Sequence, residues 1–321
     1  MKKRMICFLV VFVVLVMIAI VGGSCYMLSF ALSRTGEPKG NALDRVALRE
    51  KEYPEIKPWI DSLQRAHALR DTFIVQADGT KAHALYVWAP RKTNQTAILV
   101  HGYKDRAEGM LHLGYVYHHF LGYNILLPDL HAHGRSEGSD IQMGWKDRID
   151  VLRWTQVADR LFADSTGHTR QVLHGVSMGA ATVMCVSGEK TPGYVKCFVE
   201  DCGYTSAWDE FQYELNEMFG LPPFPLMWTT SALCKLRYGW SFGQASPLRQ
   251  VAKCHKPMLF IHGDKDDFVP TKMVYPLYQA KPGVKELFIG KGSIHAKTYR
   301  DHRKEYVRIV KDFVGRYNPS C

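Results

Sequence analysis

From Thr96 onward the chain repeats one rhythm: a short apolar run rich in β-branched residues, then a segment of helix length. The runs are "TAILV", "YNILLPD", "QVLHG", "YVKCFVED", "PMLFIHGD" and "KELFIG"; helices are expected after Asp105, over Ile149 to Phe162, from Met178 and from about His302. A strand that is apolar on both faces must be covered on both, and helices between such strands bring each one back parallel to the last. The rhythm therefore predicts an α/β fold with a mostly parallel sheet covered by helices on both faces. Ahead of it, "DTFIVQADGTKAHALYVWAP" predicts two strands joined at Asp78-Gly79, a dipeptide suited to a tight hairpin turn. The rhythm breaks between Cys202 and Lys253, where Trp208, Phe211, Tyr213, Phe219, Phe224, Trp228 and Trp240 fall in a stretch without strand signal. A helical cap inserted before the late strands explains the break. The expected organisation is residues 1–34 as an N-terminal anchor or signal, 35–70 as linker and leading helix, 71–203 and 253–321 as the core, and 204–252 as the cap.

Residues Met5 to Ile20 carry no charge, and after "VGGSC" the apolar character resumes through Leu32. That exceeds the roughly 7–15 residues of a signal-peptide core and favours an uncleaved membrane anchor. Lys2, Lys3 and Arg4 precede the span, which places the N-terminus in the cytoplasm and everything after Arg34 on the extracytoplasmic side, periplasmic or extracellular. Two rivals stay open: signal cleavage at the small residues Gly22, Gly23 and Ser24, and acylation of Cys25 as in a lipoprotein. A polar helix-like segment from Ala42 to about Leu69 follows the Gly36 to Asn41 linker and leads from the membrane to the domain.

The net charge of +10 gathers at the two ends and comes with no nucleic-acid motif, so no nucleic-acid partner is expected; the closing basic helix reads as a solvated face. Cys185, Cys197, Cys202, Cys234, Cys254 and Cys321 show neither CxxC pairs nor His partners, which argues against zinc. Disulfides and buried free thiols both remain open for them, the second being the commoner outcome in strand-like and helix-like runs.

The chemistry-bearing motif is Gly175-Val176-Ser177-Met178-Gly179, flanked by the strand "QVLH" and the helix "MGAATVMCV". A strand ending in a turn this sharp pushes a serine out above the sheet, with glycines where a Cβ would collide. The helix aims its N-terminal N–H groups at the same place, so that of Met178 is set to stabilise an oxyanion. A serine hydroxyl needs a base and an acid to orient the base. Past the cap, "FIHGDKDDFVP" offers Asp264, Asp266 and Asp267 after one strand, and "GKGSIHAKTY" offers His295 after the next. The loop "HGYKD" after "TAILV" places the Tyr103 N–H as the second oxyanion donor.

At "LVHGY", "DLHAHGRSEG", "LHGVSMGA", "IHGDKDDFVP" and "SIHA" the chain resembles the α/β-hydrolase superfamily, and within it the membrane-anchored bacterial members of the branch that contains serine aminopeptidase-like and monoglyceride-lipase-like enzymes. The resemblance spans about Asp71 to Val314. It implies Ser177 as nucleophile, Asp266 as the acid of H-G-x-x-D-x-x-V-P, and His295 as base. One departure is that Leu130, His131 and Ala132 precede His133-Gly134 where the family commonly reads D-x-R-G-H-G. Rivals for the acid are Asp264, Asp267 and Asp201, the last at the end of "CFVED".

His131 and His133 are two apart without a third ligand and are expected to pack within their loop, while His112, His118 and His119 are expected as surface or packing residues. The reading that results is a serine hydrolase acting on a small carboxylic ester, with neither cofactor nor metal. The alternatives are a peptidase releasing N-terminal residues, which needs cap acids such as Glu210, Glu214 or Glu217 for the α-ammonium, and a non-catalytic binding protein.

Overall fold

The computed structural model describes residues 2–34, 42–163, 165 and 167–319, so the linker Gly36 to Asn41 and Cys321 lie outside the described residues. Eight strands, β1 (Arg70–Val75), β2 (Lys81–Val87), β3 (Gln95–Val100), β4 (Asn124–Pro128), β5 (Arg170–Val176), β6 (Val195–Asp201), β7 (Met258–Gly263) and β8 (Lys285–Gly290), form one sheet in the order β1-β2-β4-β3-β5-β6-β7-β8. β2 runs antiparallel to both its neighbours and every other pair is parallel. The β1–β2 hairpin closes at Asp78, whose carboxylate accepts from the Thr80 N–H at 3.0 Å, and at Gly79, whose φ of +87° a side chain would resist.

The helices are α1 (Lys2–Leu32), α2 (Ala42–Glu52), α3 (Lys57–Arg65), α4 (Leu111–Tyr115), α5 (Asp147–Phe162), α6 (Met178–Ser187), α7 (Ala207–Phe219), α8 (Leu226–Tyr238), α9 (Pro247–Val251), α10 (Val274–Ala280), α11 (Thr298–Asp301) and α12 (Arg303–Tyr317). Strand alternation divides the core. On β3, Ile98 and Val100 join Trp154 of α5, Ala181 of α6 and Leu277 of α10, whereas Ala97 and Leu99 join Trp59 of α3, Leu111 of α4 and Phe313 of α12. Between β6 and β7 the chain runs through α7, α8 and α9 without a strand.

Two expectations need correction. The helix expected from Ala42 to Leu69 is broken: Pro54 has no N–H to donate, and Pro54–Ile56 forms a 3₁₀ turn between α2 and α3. Nor does this segment merely lead to the domain, since Val46, Ile56, Trp59, Ile60 and Leu63 are buried on the sheet. The segment after Asp105 is not one helix but short pieces: a 3₁₀ turn over Ala107–Met110, α4, and a π turn over Val116–Phe120.

Helix α1 is exposed from Lys2 to Ala19 and then joins the fold. Ser24, Leu28 and Leu32, one turn apart, are buried, and Ser24 Oγ meets Thr229 Oγ1 of α8 at 2.5 Å. Beyond the helix, Arg34 donates to the carbonyls of Ser136 and Gly134 at 2.9 and 2.7 Å, and the Leu32 carbonyl accepts from Ile141 N–H at 2.7 Å. The end of α1 is thus core. Leu32→Ala is expected to lower stability by about 2–5 kcal/mol in denaturant unfolding of the detergent-solubilised chain; a loss well under 1 kcal/mol would show that this end of α1 packs on nothing.

Candidate active site

Ser177 stands between β5 and α6 with φ 57° and ψ −120°, a left-handed backbone that a non-glycine residue adopts only when its surroundings enforce it. They do so here by proximity. A Cβ at Gly175 would lie 2.6 Å from Ala180 N and one at Gly179 would lie 2.6 Å from the His101 carbonyl oxygen, so only glycine lets the turn close against α6 and β3. From the β6 side, the Asp201 carbonyl accepts from Ser177 N–H at 2.8 Å.

His295, in the loop after β8, has Nε2 2.9 Å from Ser177 Oγ and Nδ1 2.8 Å from Asp266 Oδ2. Asp266, after β7, also accepts from the N–H groups of Phe268 and Val269 at 3.1 and 2.9 Å. Burial pushes its carboxyl up, but the hydrogen bonds from His262 and His295 outweigh burial and hold it below the ordinary carboxylate range. His262, 3.2 Å from the same Oδ2, was not foreseen as a partner; its place at the end of the apolar strand "LFIH" is the signal that could have found it.

The rival acids fall elsewhere. Asp264 is exposed and accepts from Gly292 N–H at 2.5 Å; Asp267 is exposed. Asp201 accepts from Tyr306 OH at 2.8 Å, and that hydroxyl lies 3.1 Å from His174 Nε2. Cys202, Asp266 and His295 place ligand-type atoms within 4.8 Å of one another, and the Asp266 and His295 atoms are already engaged with each other at 2.8 Å.

The N–H groups of Tyr103 and Met178 have no partner in the fold among the described residues, and both residues line the cavity that holds Ser177. Two histidines position the Tyr103 loop. His101 Nε2 accepts from Leu130 N–H at 2.9 Å, and His133 Nε2 accepts from Lys104 N–H at 3.2 Å. Burial pushes His133 down to about 3, so it stays neutral and able to accept. His131 is buried beside it, 4.0 Å from Asp140. His112 and His118 are buried packing residues, the first stacked on Tyr53 at 4.6 Å and the second accepting from Trp59 Nε1 at 2.9 Å, while His119 is exposed.

The cavity over Ser177 holds about 300 Å³. Its walls come from the cap helices α7 and α8 and from Met27, Phe30 and Ala31 of α1. Of the cap aromatics, Tyr204, Phe211, Phe219 and Phe242 line it. Sequence reasoning missed the α1 wall, because residues 1–34 read as an anchor apart from the domain; the Ser24, Leu28, Leu32 spacing was the available clue. Glu210 and Glu214 also line the cavity, whereas Glu217 is exposed. Glu210 Oε2 is buried without a hydrogen-bond partner; burial first, then the Glu214 carboxylate, push Glu210 well above the ordinary carboxylate range.

The family model of the prolyl oligopeptidase family matches residues 137–318, a stretch that includes Ser177, Asp266 and His295. The chain is 30% identical over 236 residues to the uncharacterized protein YqkD of Bacillus subtilis (strain 168), covering 73% of this chain and 76% of that protein. It superposes on the Pyrococcus furiosus esterase Pf2001 with a TM-score of 0.62 at 21% identity, over 78% of this chain and 93% of that one. On the Pyrococcus horikoshii acylaminoacyl peptidase the TM-score is 0.58 at 16% identity, over 79% of this chain but 42% of the peptidase. At these identities the two structures speak to fold alone.

One buried acid behind the site sets a pH test. Burial pushes Glu200, which accepts from Gly203 N–H at 3.0 Å, up from 4.5 to about 8. The folded chain therefore keeps a proton that the unfolded chain releases above its ordinary carboxylate range, and stability falls as pH rises through that window. Glu200→Gln keeps the acceptor and removes the ionisation, so its melting temperature is expected to fall less than the wild type's between about pH 5 and pH 8. Parallel curves for the two proteins would place the titration elsewhere.

Proposed function

We propose that this chain, which belongs to the prolyl oligopeptidase family and is a serine hydrolase of the α/β-hydrolase fold, cleaves carboxylic esters through an acyl-enzyme on Ser177. The observation that carries the reading is the hydrogen-bonded line from Ser177 Oγ through His295 to the Asp266 carboxylate. His295 Nε2 takes the hydroxyl proton as Oγ attacks the substrate carbonyl carbon, and the Tyr103 and Met178 N–H groups hold the oxyanion. The proton passes to the leaving alkoxide. Water then attacks the acyl carbon, giving its proton to His295, and Ser177 Oγ leaves with that proton. Asp266, ionised throughout, fixes the His295 tautomer and offsets its charge. An alkoxide leaves with less help than an amide nitrogen, and the apolar walls suit the acyl side of such a substrate.

The helix α1, long and apolar enough to cross a membrane, fits a membrane anchor or a signal sequence. We read it as an anchor, with Lys2, Lys3 and Arg4 on the cytoplasmic side and the hydrolase domain, its cap over residues 204–252, on the other.

A second reading, release of N-terminal residues from peptides, is favoured by Glu210: a buried carboxyl with an unpartnered oxygen in the cavity is suited to an α-ammonium. The test uses the full-length chain in detergent. Ser177→Ala is expected to lower kcat/KM on p-nitrophenyl esters by at least about 10³-fold and to abolish fluorophosphonate labelling, with Asp266→Asn lowering kcat by about 10⁴-fold. Turnover of a free amino-acyl amide but neither its N-blocked form nor the esters would transfer the assignment to the peptidase. An unlabelled wild type would leave a binding protein.

A further inference from the structure

We infer that the end of the apolar N-terminal helix is part of the substrate pocket, setting the length of acyl chain accepted, and that the pocket is served from the bilayer, so a membrane-dissolved ester reaches Ser177 without crossing water. The inference rests on the ester-hydrolase and anchor readings above.

The geometry begins with one unbroken helix. Residues 5–21 form an uncharged apolar run that rises about 26 Å at 1.5 Å per residue, close to the roughly 30 Å of a bilayer's hydrocarbon. The same helix continues into the domain, where Ser24, Leu28 and Leu32 pack and Met27, Phe30 and Ala31 face the cavity over Ser177. From residue 21 to Phe30 the rise is about 14 Å. α1 has no break at which it could swing, and its far end is tied down by Arg34 and the Leu32 carbonyl, so the pocket is held beside the membrane rather than tethered at a distance.

A second observation concerns the rim. At the α7–α8 corner Phe219, Leu221, Phe224 and Trp228 are 37–69% exposed, and Phe219 meets Phe30 of α1 edge-on at 5.7 Å. An apolar and aromatic collar next to the point where an apolar helix leaves the fold is matched to the interfacial layer of a bilayer, where aromatic rings sit with one side apolar and the other wet. Met218, itself 55% exposed, joins this rim, and Leu226 and the buried Met227 continue the apolar lining inward. Lys104, Glu210, Glu214 and Thr230 add polar groups to the lining, and burial favours the neutral acid of Glu210, which an acyl chain tolerates. A chain that slides from lipid past this collar exchanges one apolar surrounding for another.

The experiment uses full-length protein in vesicles of palmitoyl-oleoyl phosphatidylcholine, with p-nitrophenyl butyrate and p-nitrophenyl dodecanoate as substrates. Met27→Trp fills the α1 wall and is expected to cut kcat/KM for the dodecanoate at least tenfold more than for the butyrate. Phe30→Ala opens that wall and is expected to move the chain-length optimum upward. Phe224→Ser with Trp228→Ser is expected to slow the vesicle-borne dodecanoate at least fivefold and leave the butyrate unchanged. Equal effects on both esters, or none, would overturn the inference. Fluorophosphonate labelling of Ser177 in every sample separates this failure from that of the hydrolase reading: wild type that is neither labelled nor active removes the reading itself.

Discussion

The catalytic edge depends on how closely α6 approaches β3 and β5. Gly175 and Gly179 permit that approach, and the consequence is the backbone of Ser177, held at positive φ where its hydroxyl stands clear of the sheet. The strain does not stop there. Lys104, Cys202 and Ala296 also have positive φ, at 53°, 53° and 56°, in the loops that follow β3, β6 and β8. Residues in such sparsely populated conformations cluster where a rigid scaffold over-determines them. Here the scaffold is the set of buried parallel strands, whose hydrogen bonds and two-sided packing leave the loops at their ends little freedom.

Much of this was legible because it is written in local patterns. The six apolar runs correspond to β3 to β8, since nearly continuous apolar character is what burial on both faces demands. Ser177, Asp266 and His295, separated by up to 118 positions, meet because each follows the carboxyl end of a parallel strand. What was not legible depends on tertiary proximity. Nothing local marks Glu210 rather than Glu217 as the acid inside the cavity: seven residues apart, the two share one face of α7 and differ only in how far along the helix the fold covers it. Likewise α1 presents an apolar surface all round, and its composition does not reveal which turn ends in lipid and which in protein.

Two buried histidines, His133 and His174, are kept neutral by burial, which pushes each down to about 3, and are used for their two distinct ring nitrogens; His174 bridges Tyr117 and Tyr306 at 3.1 Å each. A neutral imidazole can donate and accept at once, so it joins two loops without introducing charge. Asp129 plays the ionised counterpart, accepting from Ala107 N–H, Arg135 N–H and His83 at 2.7–2.8 Å and thereby clasping the loops on either side of Tyr103.

The cysteines give the fold a chemical character of its own. Cys185, Cys197, Cys202, Cys234 and Cys254 are buried free thiols, and burial pushes Cys185 and Cys234 up to about 12. The thiolate is the species that attacks oxidants and disulfides. Packing therefore serves these sulfurs as a protecting group: while the core is closed they are inert whatever the redox state outside, and the native chain draws no stability from cross-links among its described residues. The vulnerable moment is the open one. A molecule that unfolds in oxidising surroundings exposes five thiols with no native pairing to direct them, and a wrong bridge would then bar the way back.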